Sequence, residues 1–362
     1  MFVDSVKVIE NGSLNGRVCH ESLSFVSDIR PYTLSMSSAG RGHEKHGGDK
    51  GPGAAGQDVY GHTRTSIFVS DGHGKDGLEV ARESCGIVSR LESVVSVELL
   101  QSSPDRLAEQ LRICVVEHMH RVASPVSGAT FTQMMLIESN GRRWAITVNV
   151  GDSEALLVYR NRVHVCSVPH AWDNLTMYQR YIQHSRINKP VCYNRWNASD
   201  YRLRGPLGTY RPIMMYEVRD NRARVHKENA EWISKLWERR SNGKLRYGTQ
   251  SVRIPDCPHE NWGSCVVIGG RARGQVMAGF GDVIERQQTG VPLGLVHVYI
   301  HEIPCSENVV AVVQSDGVSN SLTLGECGRR AWTCRSAEEY LSGAKSPRDD
   351  ISVGIARFLV AE

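Results

Sequence analysis

The chain predicts an α+β fold built on antiparallel strands, and three observations carry that prediction. Strand-like apolar runs dominate both ends of the sequence. Two amphipathic helices fall between strand candidates at 66–70 and 129–137. The connections that follow are short turns suited to hairpins, not the strict strand–helix alternation of a doubly wound parallel sheet.

Early alternating runs such as SerValLysValIle (5–9) read as strands, and residues 39–61 read as a glycine-rich loop too poor in apolar side chains to enter a core. SerIlePheValSer (66–70) is a short buried strand leading into Asp71. From Asp76 to Leu91, apolar residues Leu78, Ala81, Cys85, Val88 and Leu91 recur at helical spacing. Ser103 followed by Pro104 predicts the start of a second helix, with Leu107, Leu111, Cys114, Val115 and Met119 as its buried stripe. Runs at 129–137, 144–150 and 155–159 read as strands joined by AsnGly (140–141) and ArgAsn (160–161) turns. Regular strands return at 309–314 and 351–358, with a last helix near 336–344. Between them, 166–265 has weak periodicity except for an amphipathic helix at 226–240 carrying Trp232, Ile233, Leu236 and Trp237.

With 362 residues and 40% hydrophobic content, the chain can bury a large core. Its 43 Lys and Arg against 39 Asp and Glu give a net charge of +4, too mild to imply nucleic acid. The ten cysteines form no CxxC pair and no zinc-like Cys–His spacing, so they predict buried reduced thiols. The first residues lack the pattern of a signal peptide, and no apolar run approaches the ~20 residues of a membrane helix. The expectation is a soluble intracellular protein, cytoplasmic or nuclear, with no membrane partner.

Chemistry concentrates in three acidic corners: SerAspGlyHisGly (70–74), SerAspGlyVal (315–318) and ArgAspAspIleSerVal (348–353). Each borders an apolar run that would fix its position. Magnesium and manganese prefer oxygen ligands and keep several waters, so a site for them needs few carboxylates held rigidly at strand ends. Asp71, Asp316 and Asp349 meet that need, and Gly72 and Gly317 allow sharp turns and close approach of a carbonyl.

Taken with the motifs between them, these corners resemble the metal-dependent Ser/Thr protein phosphatases of type 2C, also called PPM. The resemblance runs from about Gln57 to Phe358. It includes GlnAspValTyr (57–60), PheValSerAspGlyHisGly (68–74), SerGlyAlaThrPheThr (127–132) and AsnValGlyAspSerGluAla (149–155). It continues through GlyGlnValMetAlaGlyPheGlyAsp (274–282), ValValGlnSerAspGlyValSerAsn (312–320) and the 348–353 motif. It implies one domain over 1–362: two antiparallel sheets packed as a sandwich, flanked by layers of helices, with an enlarged variable flap at about 166–265. It also implies two Mg²⁺ or Mn²⁺ ions and a third held more weakly. Asp71 would bridge the two ions, the Gly72 carbonyl would complete one, and Asp316 and Asp349 would bind the second. Asp58 would coordinate an ion or orient its water, and Asp152 would serve the third position. The implied reaction is hydrolysis of phosphoserine and phosphothreonine in a phosphorylated protein substrate by a metal-bound hydroxide, with His73 as general acid.

Three departures bear on that expectation. Gln57 stands where the family often has Glu, and Glu154 stands where it has Arg. No Arg or Lys occupies the family's upstream phosphate-holding position, for which Lys50 is the candidate and Arg41 a weaker one. Gln57, the missing upstream base and the altered 274–282 segment leave open a second reading, a pseudophosphatase that binds a partner through its flap. Residues 221–246 carry eight Lys or Arg against three Glu, a net of +5, which would suit an acidic protein partner. The His43–His46 pair has no third ligand nearby in sequence and is read as loop.

Overall fold

The computed structural model describes residues 32–43, 48, 53–171, 174–184, 191–194, 213–214, 216–220, 222–227, 230, 264–268, 271–273, 278–289, 295–344 and 349–360. The strands expected before residue 32, together with His46, Lys50, Trp232 and Trp237, lie outside them.

Two antiparallel sheets form the centre. One orders the strands Tyr32–Arg41, Ile351–Val360, Val309–Gln314, Glu154–Val158 and Val163–Val165. The other orders His297–Ile303, Arg142–Val150, Phe131–Ser139, Ser66–Ser70, Asp58–His62 and Ala54–Ala55. The sequence explains why both faces of each sheet are covered. In Val309–Gln314 the side chains of Val309, Ala311 and Val313 point between the sheets, and Val310 and Val312 point outward to a second core. A strand buried on both sides reads as an unbroken apolar run instead of an alternation.

The inter-sheet core holds Ile67, Val69, Met134, Leu136, Leu157 and Phe358, among others. Outside the six-stranded sheet pack the helices Gly77–Cys85, Val88–Val94, Val97–Ser102, Pro104–Arg121 and Leu175–His184. Outside the five-stranded sheet pack Leu324–Thr333 and Ala337–Leu341. The α+β layered sandwich is therefore the architecture.

Several elements differ from the sequence expectation. The single helix over 76–91 is two helices, because the chain breaks hydrogen bonding at Gly86 and restarts at Val88. The apolar stripe runs across the break because both helices lie on the same sheet. The glycine-rich loop over 39–61 contains the end of one strand and two further strands, with Ala54 and Ala55 buried. Small residues are required there: a Cβ on Gly40 would sit 2.3 Å from the Tyr60 ring. The helix Leu324–Thr333 was not anticipated, although Thr323 and Glu326 form a reciprocal capping box at its start. Leu175–His184 falls in the segment of weak periodicity, yet Met177, Tyr178 and Tyr181 are buried against the sheet. The Asn140–Gly141 turn has both residues at positive φ, the conformation that two-residue hairpins favour. Cys85, Cys114, Cys166, Cys305, Cys327 and Cys334 are free thiols, and no helix among the described residues is long and apolar enough to cross a membrane.

The two sheets approach closely at Gly354, where an added Cβ would lie 2.9 Å from the Cβ of Ile67. Gly354→Ala should therefore lower stability by roughly 1–3 kcal/mol, the usual range for overpacking, read as a shift in urea midpoint at constant slope.

At one edge the sandwich is closed by polar rings. His297, Tyr299 and His301 stack along the inner side of their strand, with successive ring centroids 6.4 and 6.0 Å apart. Tyr299 Oη pairs with His164 Nε2 at 2.8 Å, and Tyr159 Oη with His301 Nε2 at 3.0 Å. Burial lowers His164, His297 and His301 to about 4 each. A histidine whose folded pKa is depressed stabilises the fold fully above its unfolded value near 6.5, and that contribution is lost as pH falls toward 4. Lowering pH from 7 to 5 should cost roughly 1–2 kcal/mol per ring. His301→Gln should reduce the pH dependence of the urea midpoint over that window, and an unchanged dependence would refute the assignment.

Candidate functional site

The acidic corners meet at one end of the sandwich because three strand ends are tied together there. Ser66–Ser70 delivers Asp71, whose backbone N–H donates to Thr130 Oγ1 at 3.1 Å and whose carbonyl accepts from Thr130 N–H at 2.8 Å. Thr130 Oγ1 also pairs with Ser153 Oγ at 2.8 Å, so one threonine links the Asp71 corner to the turn carrying Asp152. Gly151 in that turn has φ +102°, and a Cβ there would press on Thr130 at 2.6 Å. Its N–H donates to His170 Nδ1 at 2.9 Å. Burial lowers the His170 pKa to about 3, so the ring stays neutral and keeps accepting that bond.

Asp316 follows Val309–Gln314, and Asp349 and Asp350 precede Ile351–Val360. Ser315 N–H donates to the Ser352 carbonyl, and Ser352 N–H donates to Ser315 Oγ, both at 3.0 Å. Ser352 Oγ then donates to Asp58 Oδ2 at 2.7 Å. Asp58 is 1% exposed, and its Oδ1 has no hydrogen-bond partner although it is buried. Asp350 accepts from the backbone N–H groups of His43 at 2.6 Å and Gln57 at 2.9 Å, pinning the segment that carries Asp58.

The structure therefore brings together Asp58, Asp71, Asp152, Asp316 and Asp349. Burial first, then the charges of Asp58, Asp316 and Asp349, raise Asp71 well above the carboxylate range. Asp58 is raised by burial and by Asp350 and Asp349, against the Ser352 bond. Asp316 rises to about 6, through burial and the charge of Asp152, with Asp71, Asp349 and Asn320 as hydrogen-bond partners. Carboxyls this close cannot all ionise without a cation. Among the described residues no set of three or more His, Cys, Asp or Glu is already arranged as a ligand shell, and these carboxyls bond to one another instead. The donor set still fits a hard divalent cation: all are oxygens, like charges crowd, and Asp58 Oδ1 is an unsatisfied acceptor.

Gly72 and His73 form a two-residue strand paired with Gly128–Ala129, which pairs in turn with Phe280–Gly281. Gly72 has no room for a side chain, since a Cβ would lie 2.4 Å from the Gly77 carbonyl oxygen. His73 is partly exposed, and its Nε2 lies 2.7 Å from Asp282 Oδ2. Gln57 donates from Nε2 to the Gly74 carbonyl at 2.6 Å, a bond that an ionised Glu could not make. The other departure, Glu154, accepts from Gln314 Nε2 at 2.9 Å, and Gln314 Oε1 accepts from Tyr340 Oη at 2.7 Å, so the acid belongs to a buried polar network. Lys50, the candidate phosphate holder, lies outside the described residues. Sequence reasoning assigned no role to Asp350, Ser352, Thr130 or Asp282; the second Asp of ArgAspAsp was the one visible signal for Asp350.

No family profile matches the chain, and no curated protein matches it in sequence. Solved structures do. A bacterial serine phosphatase shares 12% identity with a TM-score of 0.50, over 91% of this chain and all of that one. The PPM Ser-Thr phosphatase MsPP from Mycobacterium smegmatis shares 14% identity with a TM-score of 0.43, over 90% of this chain and 98% of that one. The serine/threonine phosphatase Stp1 from Staphylococcus aureus shares 11% identity with a TM-score of 0.45, over 94% of this chain and all of that one. At such identities the likeness speaks to architecture alone: the chain shares the fold of that bacterial serine phosphatase.

Proposed function

We propose that the protein is a metal-dependent phosphatase that removes phosphate from serine and threonine of phosphorylated proteins. The observation that carries this reading is the convergence of Asp58, Asp71, Asp152, Asp316 and Asp349 at one end of the sandwich, with burial and mutual repulsion raising Asp58, Asp71 and Asp316. Asp58, Asp71, the Gly72 carbonyl, Asp316 and Asp349 would hold two Mg²⁺ or Mn²⁺ ions, with Asp152 at a third, weaker position. When bound, such ions neutralise phosphate charge and make water a competent nucleophile near neutral pH.

The chain's own residues supply the rest. Thr130, Ser315 and Ser352 hold the carboxyls in place through bonds to Asp71, Asp58 and one another. The P–O bond to the substrate serine or threonine breaks as a water oxygen bonds to phosphorus. His73, two residues beyond Asp71, would protonate the departing oxygen, a role suited to a group with an ordinary pKa of about 6.5. The whole chain would act as one domain, with 166–265 as an enlarged flap that an acidic protein could engage.

Gln57 favours a second reading. Its Nε2 donates to the Gly74 carbonyl, and the amide would bring no negative charge to an ion. A pseudophosphatase that keeps the fold for partner binding would tolerate that change.

Hydrolysis of a phosphothreonine peptide separates the two. Turnover should require Mn²⁺, stop with EDTA, and fall at least ~100-fold in Asp71→Asn and in Asp316→Asn, on the scale of lost charge stabilisation. A folded wild-type protein without turnover in Mn²⁺ would leave the pseudophosphatase standing. Activity that persists in EDTA would remove the metal assignment.

A further inference from the structure

We propose that Asp282 is the positioning residue for His73: it accepts the Nε2 proton, fixes the ring, and thereby sets Nδ1 as the atom that delivers a proton to the leaving oxygen. This rests on the reading of His73 as general acid.

Three features of the structure build the pair. First, His73 Nε2 and Asp282 Oδ2 are 2.7 Å apart, within the range of a charge-assisted bond, across 209 residues of sequence. Second, the backbone is shaped for the contact. Asp282 is a non-glycine residue at φ +47°, a conformation few residues adopt and which the surrounding structure must enforce. Its N–H donates to the Ser127 carbonyl at 2.9 Å, and the pairing of Phe280–Gly281 with Gly128–Ala129 carries it beside His73. Third, the space is made by an absent side chain. A Cβ on Gly128 would lie 2.0 Å from Asp282 Oδ2 and 2.5 Å from His73 Nε2, so only glycine lets the two meet. Among the described residues Arg286 also lies near Asp282, and its Nη1 donates to the Gly279 carbonyl at 3.1 Å.

A carboxylate on one imidazole nitrogen fixes which nitrogen carries chemistry and holds the ring in orientation, as an acid–base histidine requires. The proton account closes. Water loses a proton to solvent as its oxygen bonds to phosphorus, and the P–O bond to serine or threonine breaks. The leaving oxygen takes the Nδ1 proton, and the ring is reprotonated from solvent.

The test uses Asp282→Asn, chosen because Asn tolerates the positive φ that Asp282 occupies. Rates are measured in Mn²⁺ on the phosphothreonine peptide and on p-nitrophenyl phosphate, whose phenolate leaves without a proton. The variant should lose roughly 10–100-fold in kcat on the peptide but stay within about 3-fold on the aryl ester, with His73→Gln showing the same split. Equal losses on both substrates, or no loss on the peptide, would overturn the proposal, as would a His73→Gln variant without the split. Side-chain ¹⁵N NMR of His73 supplies a readout that needs no turnover. Wild type should show a protonated, hydrogen-bonded Nε2, and Asp282→Asn should lose that signature with its amide spectrum otherwise preserved. An inactive wild type with the signature intact would defeat the phosphatase reading while supporting the pairing. A signature absent from wild type would overturn the pairing itself.

Discussion

Crowding of like charge at one end of the sandwich is the constraint on which the rest of the site depends. Asp58, Asp71, Asp316 and Asp349 sit close enough to raise one another's carboxyls or share hydrogen bonds, and Asp152 adds to the field at Asp316. Left in water, such side chains would separate, so something must hold them. That something is the closure of two sheets, each buried on both faces, with side chains of Val309–Gln314 and Ser66–Ser70 filling the space between them. Rigid strands turn a repulsive cluster into a standing demand for positive charge.

Around this cluster the chain uses small and hydroxylated residues to join segments distant in sequence. Thr130 links Asp71 to the Asp152 turn, and Ser315 and Ser352 link the Asp316 and Asp349 corners to Asp58. Asp350 gathers the N–H groups of His43 and Gln57, 307 and 293 residues away in sequence. Glycines at 72, 128, 317 and 354 occur where backbones or side chains meet too closely for a Cβ. Gln57 takes on a different meaning in this setting. Its amide braces the Gly74 carbonyl, so the loss of a negative charge comes with a structural contact that the acid could not supply.

Much of this was legible in the sequence because the acidic corners border apolar runs, and an apolar run that ends in AspGly locates both the strand and the carboxylate. The stripe from Leu107 to Met119 was equally plain, since five residues at helical spacing all turn inward. Where the reading failed, a local rule was overridden by packing. Glycine and alanine at 40, 54 and 55 looked like loop because the Tyr60 ring that fills the space above Gly40 belongs to another strand. HisValTyrIleHis (297–301), left unassigned from the sequence, places its polar rings inward, the reverse of the usual alternation, where His164 and Tyr159 face them. The His73–Asp282 pair depends on a positive φ and a missing Cβ, neither of which composition or periodicity encodes.

Calorimetric titration of Mn²⁺ into the metal-free protein at pH 6.5 tests the central claim most directly, because it asks whether the crowded carboxyls bind cations irrespective of any substrate. Raised carboxyls must give up protons as ions bind, so repeating the titration in buffers of different ionisation enthalpy should reveal proton release. Two ions per chain with release of protons, and weaker binding in Asp71→Asn, is the predicted result. A folded protein that binds no Mn²⁺, or binds it without releasing protons and equally well in Asp71→Asn, would contradict the account.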